Sequence, residues 1–218
     1  MDLTFFENIQ EKKRLDVVKS LVPKGTRLLD VGTDHASLPI DLVKSGIITS
    51  AIASDVNKKP LQRAESEISK NGLSDRIVTV LSNGLENIPE NSFDCVSICG
   101  MGGHLISEII EKGKSKIKNC DLILQPMSYP EALRYYLSTN GFEIINESFA
   151  YDNGKSYVII HARYTSVNAH FSYGELLLGK FCPDNQYYKL YEYKISTRLR
   201  KRLLGILKHI NSNDNIIK

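Results

Sequence analysis

Three stretches of the 218-residue chain combine residue types whose spacing suits chemistry: Asp30-Val31-Gly32-Thr33-Asp34-His35, Cys99-Gly100-Met101-Gly102-Gly103-His104 and Leu124-Gln125-Pro126-Met127. In the first, only Gly32 is a glycine, and carboxylates at 30 and 34 flank it. A dinucleotide-binding turn needs G-x-G-x-x-G so that backbone can approach a pyrophosphate. Two carboxylates repel phosphate and attract an ammonium or a sulfonium, so the expected ligand is S-adenosylmethionine. His35 completes that cofactor loop. Asp34 also has a second reading, as the N-cap of the helix that follows.

Further acid and amide positions fit the same ligand. Asp55 lies 23 residues past Gly32, with Val56 beside it. Nucleotide-binding sheets place the partner of ribose hydroxyls there, although an Asp closing a strand is equally a turn residue. Asn83 can offer its amide to adenine and Gly84 can keep a pocket wall thin, or the pair is a plain Asn-Gly turn. Gly100 and Met101 join the expected cofactor contacts, because three glycines in four positions suit a close ligand approach or positive φ. Gln125 ends its strand beside the same crevice, bonding either a base edge or loop backbone. Asp34 and Gln125 are therefore the catalytic candidates.

Other chemistries lack their signatures. No Asp- or Asn-Pro-Pro-aromatic motif for exocyclic-amine methylation is present, and Cys99, without a preceding Pro, reads as a small strand residue and not a nucleophile. The five histidines are scattered without metal-ligand spacing, so no metal is expected. There is neither a G-x-S-x-G elbow nor a P-loop.

Periodicity supplies the elements that must position these residues. Helix-like spacing over residues 5 to about 22 (Phe5, Phe6, Ile9, Leu15, Val18, Leu21) leaves Lys12, Lys13 and Arg14 exposed, before Pro23-Lys24-Gly25 stops it. Strands at 27–31, 51–54, 77–81, 93–99 and 122–124 alternate with helices at 38–44, 60–70, 105–112 and 130–140. Two extended runs, 142–149 and 157–164, are joined by a turn too short for a parallel return. The expectation is an α/β protein: a parallel sheet covered by helices, with the last strand antiparallel, as in the Rossmann-like class I methyltransferase fold. Asp184 to His209 reads as one or two basic helices, followed by a polar, frayed end at residues 211–218.

Composition fits a globular protein, with 42% hydrophobic and 24% charged residues. No run of about 18 apolar residues and no basic-then-apolar leader occurs, so neither a membrane partner nor secretion is expected, and a cytoplasmic location is. Four cysteines without a CxxC pair suggest neither a disulfide framework nor a zinc knuckle. The net charge of +3 is uneven: residues 189–209 hold seven basic residues against Glu192 alone, +6, and residues 1–188 carry −3. A basic tail on a near-neutral body suits an anionic partner, nucleic acid first, or is a solvated helix face.

The string from Asp30 to Pro39, with Ala51-Ile52-Ala53, Gly100-Met101-Gly102-Gly103 and Leu122-Ile123-Leu124-Gln125-Pro126, resembles the bacterial tRNA (adenine-22-N1)-methyltransferase family across about residues 13–164. That resemblance implies methyl transfer from S-adenosylmethionine to N1 of an adenine in the D-arm region of tRNA. It also implies a methyltransferase domain (1–165) followed by a helical C-terminal domain (166–218), whose basic helices, with Lys12, Lys13 and Arg14, would contact tRNA. The family usually has Tyr at Ser37 and Asn at Met127; either Tyr129 substitutes in holding the base, or the substrate differs.

Overall fold

The computed structural model describes residues 9–179, 182 and 184–214. Its elements are α1 (Arg14–Leu21), β1 (Arg27–Val31), α2 (Ser37–Lys44), β2 (Ser50–Asp55), α3 (Lys58–Lys70), β3 (Ile77–Leu81), β4 (Cys95–Gly102), α4 (Gly103–Gly113), β5 (Asp121–Ser128), α5 (Pro130–Thr139), β6 (Phe142–Asp152), β7 (Lys155–Tyr164), α6 (Tyr173–Leu178) and α7 (Gln186–Asp214). The seven strands form one sheet in the order β3-β2-β1-β4-β5-β7-β6. β1 through β5 pair in parallel, and β7 is antiparallel to both its neighbours. This is the Rossmann-like methyltransferase topology.

Side-chain alternation splits each strand between two cores. Leu28, Ala51, Cys95 and Ile123 face Val17, Val18, Leu42 and Ile68 of α1 to α3. Leu29, Val96, Ile98, Leu122 and Leu124 face Ile106, Ile110, Leu133 and Leu137 of α4 and α5. Because both faces are covered, β1 and β5 are near-continuous buried runs, whereas the edge strand β6 alternates at its start. The β6–β7 hairpin turns at Asn153 and Gly154, both at positive φ (49° and 72°), which matches the right-handed strand twist.

Several boundaries differ from expectation. The first helix begins at Arg14, because Lys12 instead bridges to Tyr151 of the hairpin; Phe5 and Phe6 lie outside the described residues. β4 runs on to Gly102, with register shifts against β5 around Met101, so the glycine stretch is a bulged strand end and not a free turn. The basic segment is a single helix, α7, continuing to Asp214, so residues 211–214 are helical and 215–218 lie outside the described residues. Its first half joins the core: Tyr188 and Tyr191 pack on Phe149, each with ring centroids 5.2 Å apart. Its second half presents Leu203, Leu204 and Leu207 to solvent.

A buried ion pair fastens this tail. Arg134 of α5 donates Nε–H to Glu147 of β6 at 2.7 Å, and its Nη1 donates to the carbonyls of Leu176 and Leu177 at the end of α6. Gly179, at φ 78°, leaves no room for a Cβ beside that pair. No helix among the described residues is long and apolar enough to cross a membrane.

Candidate functional site

Chain order reverses between β1 and β4, and open α/β sheets bind ligands in the crevice at that switch. A cavity of about 290 Å³ opens there, lined by Asp30, Gly32, Thr33, Asp34 and His35 of the first loop, Ser37 and Leu38 of α2, Cys99 and Gly100 of β4, and Arg14 and Leu15 of α1. Asp30 is nearly buried and accepts a hydrogen bond from Ser97 Oγ at 2.7 Å. Burial raises its pKa above the usual carboxylate value, while the Ser97 and Thr33 hydroxyls oppose that rise. Burial, and secondarily Asp30, raises the Cys99 thiol well above its ordinary value, which disfavours a thiolate there.

Asp34 stays on the rim, its side chain 67% exposed, with His35 Nε2 at 3.4 Å and Arg63 Nη1 at 3.5 Å. It does not cap the next helix. Ala36 takes the N-cap position of α2 at φ 51°, and no side chain bonds there. The capping alternative for Asp34 is thereby removed.

Of the ten residues expected to meet the cofactor, Asp30, Gly32, Asp34, His35 and Gly100 line this cavity. Asp55 instead accepts a hydrogen bond from the Asn57 amide at 2.7 Å, and Val56 is 60% exposed. Asn83 donates to Glu86 at 2.9 Å, and Gly84 sits at φ 57° against Ile109. These four follow the carboxyl ends of β2 and β3, on the side of β1 away from β4 and outside the cavity lining. The positive φ of 78° is what calls for glycine at 32, and the Met101 methyl lies against its open face.

On the other side, Gln125 is fully buried at the end of β5. Its Oε1 accepts hydrogen bonds from Arg14 Nη1 and, at 3.1 Å, from the Gly100 amide; its Nε2 donates to the Pro126 carbonyl at 2.9 Å. With both ends of its amide engaged, Gln125 braces the loop, the second of its two sequence readings. Arg14 departs from its expected exposure. The guanidinium turns inward, lines the cavity and lies over the Tyr157 ring at 5.6 Å, while its amide donates to Asp152 at 3.1 Å. Lys12 and Lys13 remain exposed. Helical amphipathicity assigned Arg14 outward because its partners are distant in sequence; no local signal marks them.

The cavity thus holds two carboxylates and one guanidinium around a small, partly open volume. An elongated ligand with a cationic centre and a zwitterionic end fits that set, with its ammonium toward Asp30 and Asp34 and its carboxylate toward Arg14. Among the described residues, no group of three or more His, Cys, Asp or Glu is arranged to hold a metal ion.

Comparison with known proteins places this geometry. A family model described as a methyltransferase domain matches residues 11–160. The chain is 35% identical over 151 residues to the Bacillus subtilis tRNA (adenine(22)-N(1))-methyltransferase, a match covering 69% of this chain and 63% of that protein's length. A Streptococcus pneumoniae structure in complex with S-adenosyl-L-methionine superposes with a TM-score of 0.80 at 36% identity, covering 90% of this chain and 91% of the other. M. capricolum TrmK in complex with S-adenosyl-homocysteine gives 0.69 at 30% identity, covering 88% and 96%. The chain belongs to the methyltransferase-domain family and, within it, to the bacterial tRNA (adenine-22-N1)-methyltransferases.

Proposed function

We propose that this protein transfers a methyl group from S-adenosylmethionine to N1 of adenine 22 in the D-arm region of tRNA. The observation that carries this reading is the cavity at the β1/β4 switch, where Asp30 and Asp34 oppose Arg14 around space for a zwitterionic sulfonium ligand. Asp30, Gly32, Asp34, His35 and Gly100 are the inner cofactor set; Asp55, Val56, Asn83 and Gly84 form an outer set toward β2 and β3, and Met101 stands beside Gly32 from β4. When bound, the cofactor supplies an electrophilic methyl group. Adenine N1 has an in-plane lone pair, so no side chain must abstract a proton before attack, and positioning supplies much of the acceleration. The base becomes cationic as N1 is alkylated, and the Asp34 carboxylate holds positive charge in the pocket. Gln125 acts by fixing Arg14 and the Gly100 loop. N1 lies on the Watson–Crick edge, so a paired target must first flip out, at a cost of about a few kcal/mol recovered from backbone contacts.

Those contacts fall to residues 166–218, as a basic extension of the 1–165 body, together with Lys12 and Lys13, whereas Arg14, turned into the cavity, leaves that set. The two basic regions support one surface, because the hairpin tip stitches them together. Lys12 lies 5.4 Å from the centre of the Tyr187 ring on α7 and bonds Tyr151 through its backbone, while Lys194 lies 4.7 Å over Tyr151 and donates to the Gly154 carbonyl at 2.7 Å. Lys194, Arg198, Lys201 and Arg202 share one face of α7. A cytoplasmic location follows from a tRNA substrate. Incubation with methyl-labelled S-adenosylmethionine and unmodified tRNA, followed by nucleoside mass spectrometry, should yield 1-methyladenosine. Another methylated nucleoside, or none, would refute the assignment.

A further inference from the structure

We propose that the exposed ring of Tyr129, braced by His104, is the platform on which the flipped adenine stacks. This rests on the tRNA reading above and adds a substrate-positioning site to it. Five described residues other than glycine adopt positive φ: Ala36, Asn91, Tyr129, Asn153 and Ser166. Asparagine tolerates that conformation; a bulky aromatic side chain is an outlier there, and such outliers gather at functional sites. Tyr129, at φ 52°, is held by its surroundings. Its carbonyl lies where a Cβ on residue 103 would be, so Gly103 lets the start of α4 press against the Tyr129 backbone, and Pro130 fixes the next residue as the start of α5.

The constraint serves no burial, since Tyr129 is 56% exposed. His104, also exposed, meets its ring at a centroid distance of 5.1 Å and a 48° tilt, which leaves the tyrosine in place while a face stays open. The pair stands at the carboxyl ends of β4 and β5, with Leu105 and Met127 about half exposed in the same two segments. Met127, two residues before Tyr129 at the end of β5, has its sulfur 3.7 Å from Nη1 of the cavity-lining Arg14. A flat, open aromatic face beside a methyl-transfer cavity suits a purine, because every base presents a π-face for stacking. The ring also favours the cation that alkylation creates, through its negative face.

The test compares three variants with wild type in single-turnover methylation of tRNA, alongside S-adenosylhomocysteine affinity. Tyr129→Asn keeps a residue that tolerates the left-handed backbone but removes the ring, and kcat/KM for tRNA should fall by about 10- to 100-fold. Cofactor affinity should stay within about twofold of wild type, because Tyr129 does not line the cavity. Tyr129→Phe retains the face and should keep activity within about threefold, and His104→Ala should lose about three- to tenfold. A Tyr129→Asn enzyme at wild-type rate, or a Tyr129→Phe enzyme as impaired as Tyr129→Asn, would overturn the platform while wild-type methylation leaves the tRNA reading standing. A wild type that labels no tRNA adenine would overturn both.

Discussion

The two halves of the sheet's carboxyl edge are built on different plans. Along β1, chemistry sits within one loop: Asp30, Gly32, Asp34 and His35 fall within six consecutive positions and line one cavity. Along β4 and β5, the working group is assembled from afar: Arg14 reaches Gln125 across 111 residues, Gly100 bonds Gln125 across 25, and Gly103 lies against Tyr129. On the proposed reading the first half holds the cofactor through local charge, while the second, through tertiary convergence, closes the same cavity with Arg14 and Gly100 and carries the substrate platform at Tyr129. A local loop can be damaged one residue at a time, whereas a converged one fails when its brace is lost.

Replacement of Asp30 should break the cofactor half most severely. Asp30→Asn is expected to weaken S-adenosylhomocysteine binding, measured calorimetrically, by about 10- to 100-fold, as a charged partner is lost. The same variant should melt higher without ligand. Burial raises the Asp30 pKa above its ordinary value of 3.8, so the stability linked to this group is present below that value and lost as pH rises through the folded one. Asparagine avoids that loss at neutral pH and should add about 1 kcal/mol. A lower melting temperature would contradict the sign.

In the substrate half, Gln125→Ala leaves the Gly100 amide without its acceptor and Arg14 without its tether. It should cost about 1–3 kcal/mol in denaturant unfolding and lower kcat/KM for tRNA by about tenfold. Because Arg14 and Gly100 line the cofactor cavity, S-adenosylhomocysteine affinity should fall as well, and an unchanged affinity would show that Gln125 does not brace that cavity.

Farther out, Lys201→Ala with Arg202→Ala should weaken tRNA binding by about three- to tenfold and reduce the salt slope by about 1 to 2. Cofactor affinity should not change. An unaltered slope would remove α7 from the RNA surface.

The smallest effect belongs at the opposite edge of the sheet. Asp94 accepts hydrogen bonds from the Arg27 backbone and guanidinium, at 2.7–3.0 Å, and the Arg27 contact holds its carboxyl below the usual range. The stability this pair contributes is therefore present above the ordinary aspartate value and lost as pH falls through the folded one. Because both side chains are more than 40% exposed, Asp94→Asn should cost no more than about 1 kcal/mol and leave methylation intact.

The same contrast governs what the sequence made legible. β1 and β3 match their expected limits, because each is an apolar run bounded by turns, buried in β1 and at the sheet edge in β3. The β1 loop was legible because its carboxylates and glycine are adjacent in the chain. Arg14 was not, since helical periodicity knows only its own neighbours. β4 was expected to end at Cys99 because glycines signal turns, yet pairing with β5 carries it to Gly102. α6 was missed despite a local mark: Ser172 and Glu175 form a capping box, with reciprocal bonds of 3.3 and 2.8 Å.

The central claim is met most directly by a single D-arm transcript containing adenine 22 and a matched transcript with guanine there. With wild-type protein and S-adenosylmethionine, mass spectrometry of ribonuclease fragments should find one 1-methyladenosine, at position 22. The guanine transcript and the Asp34→Ala protein should give none. A protein that binds the cofactor but leaves both transcripts unmodified, or that methylates them equally, would contradict the account.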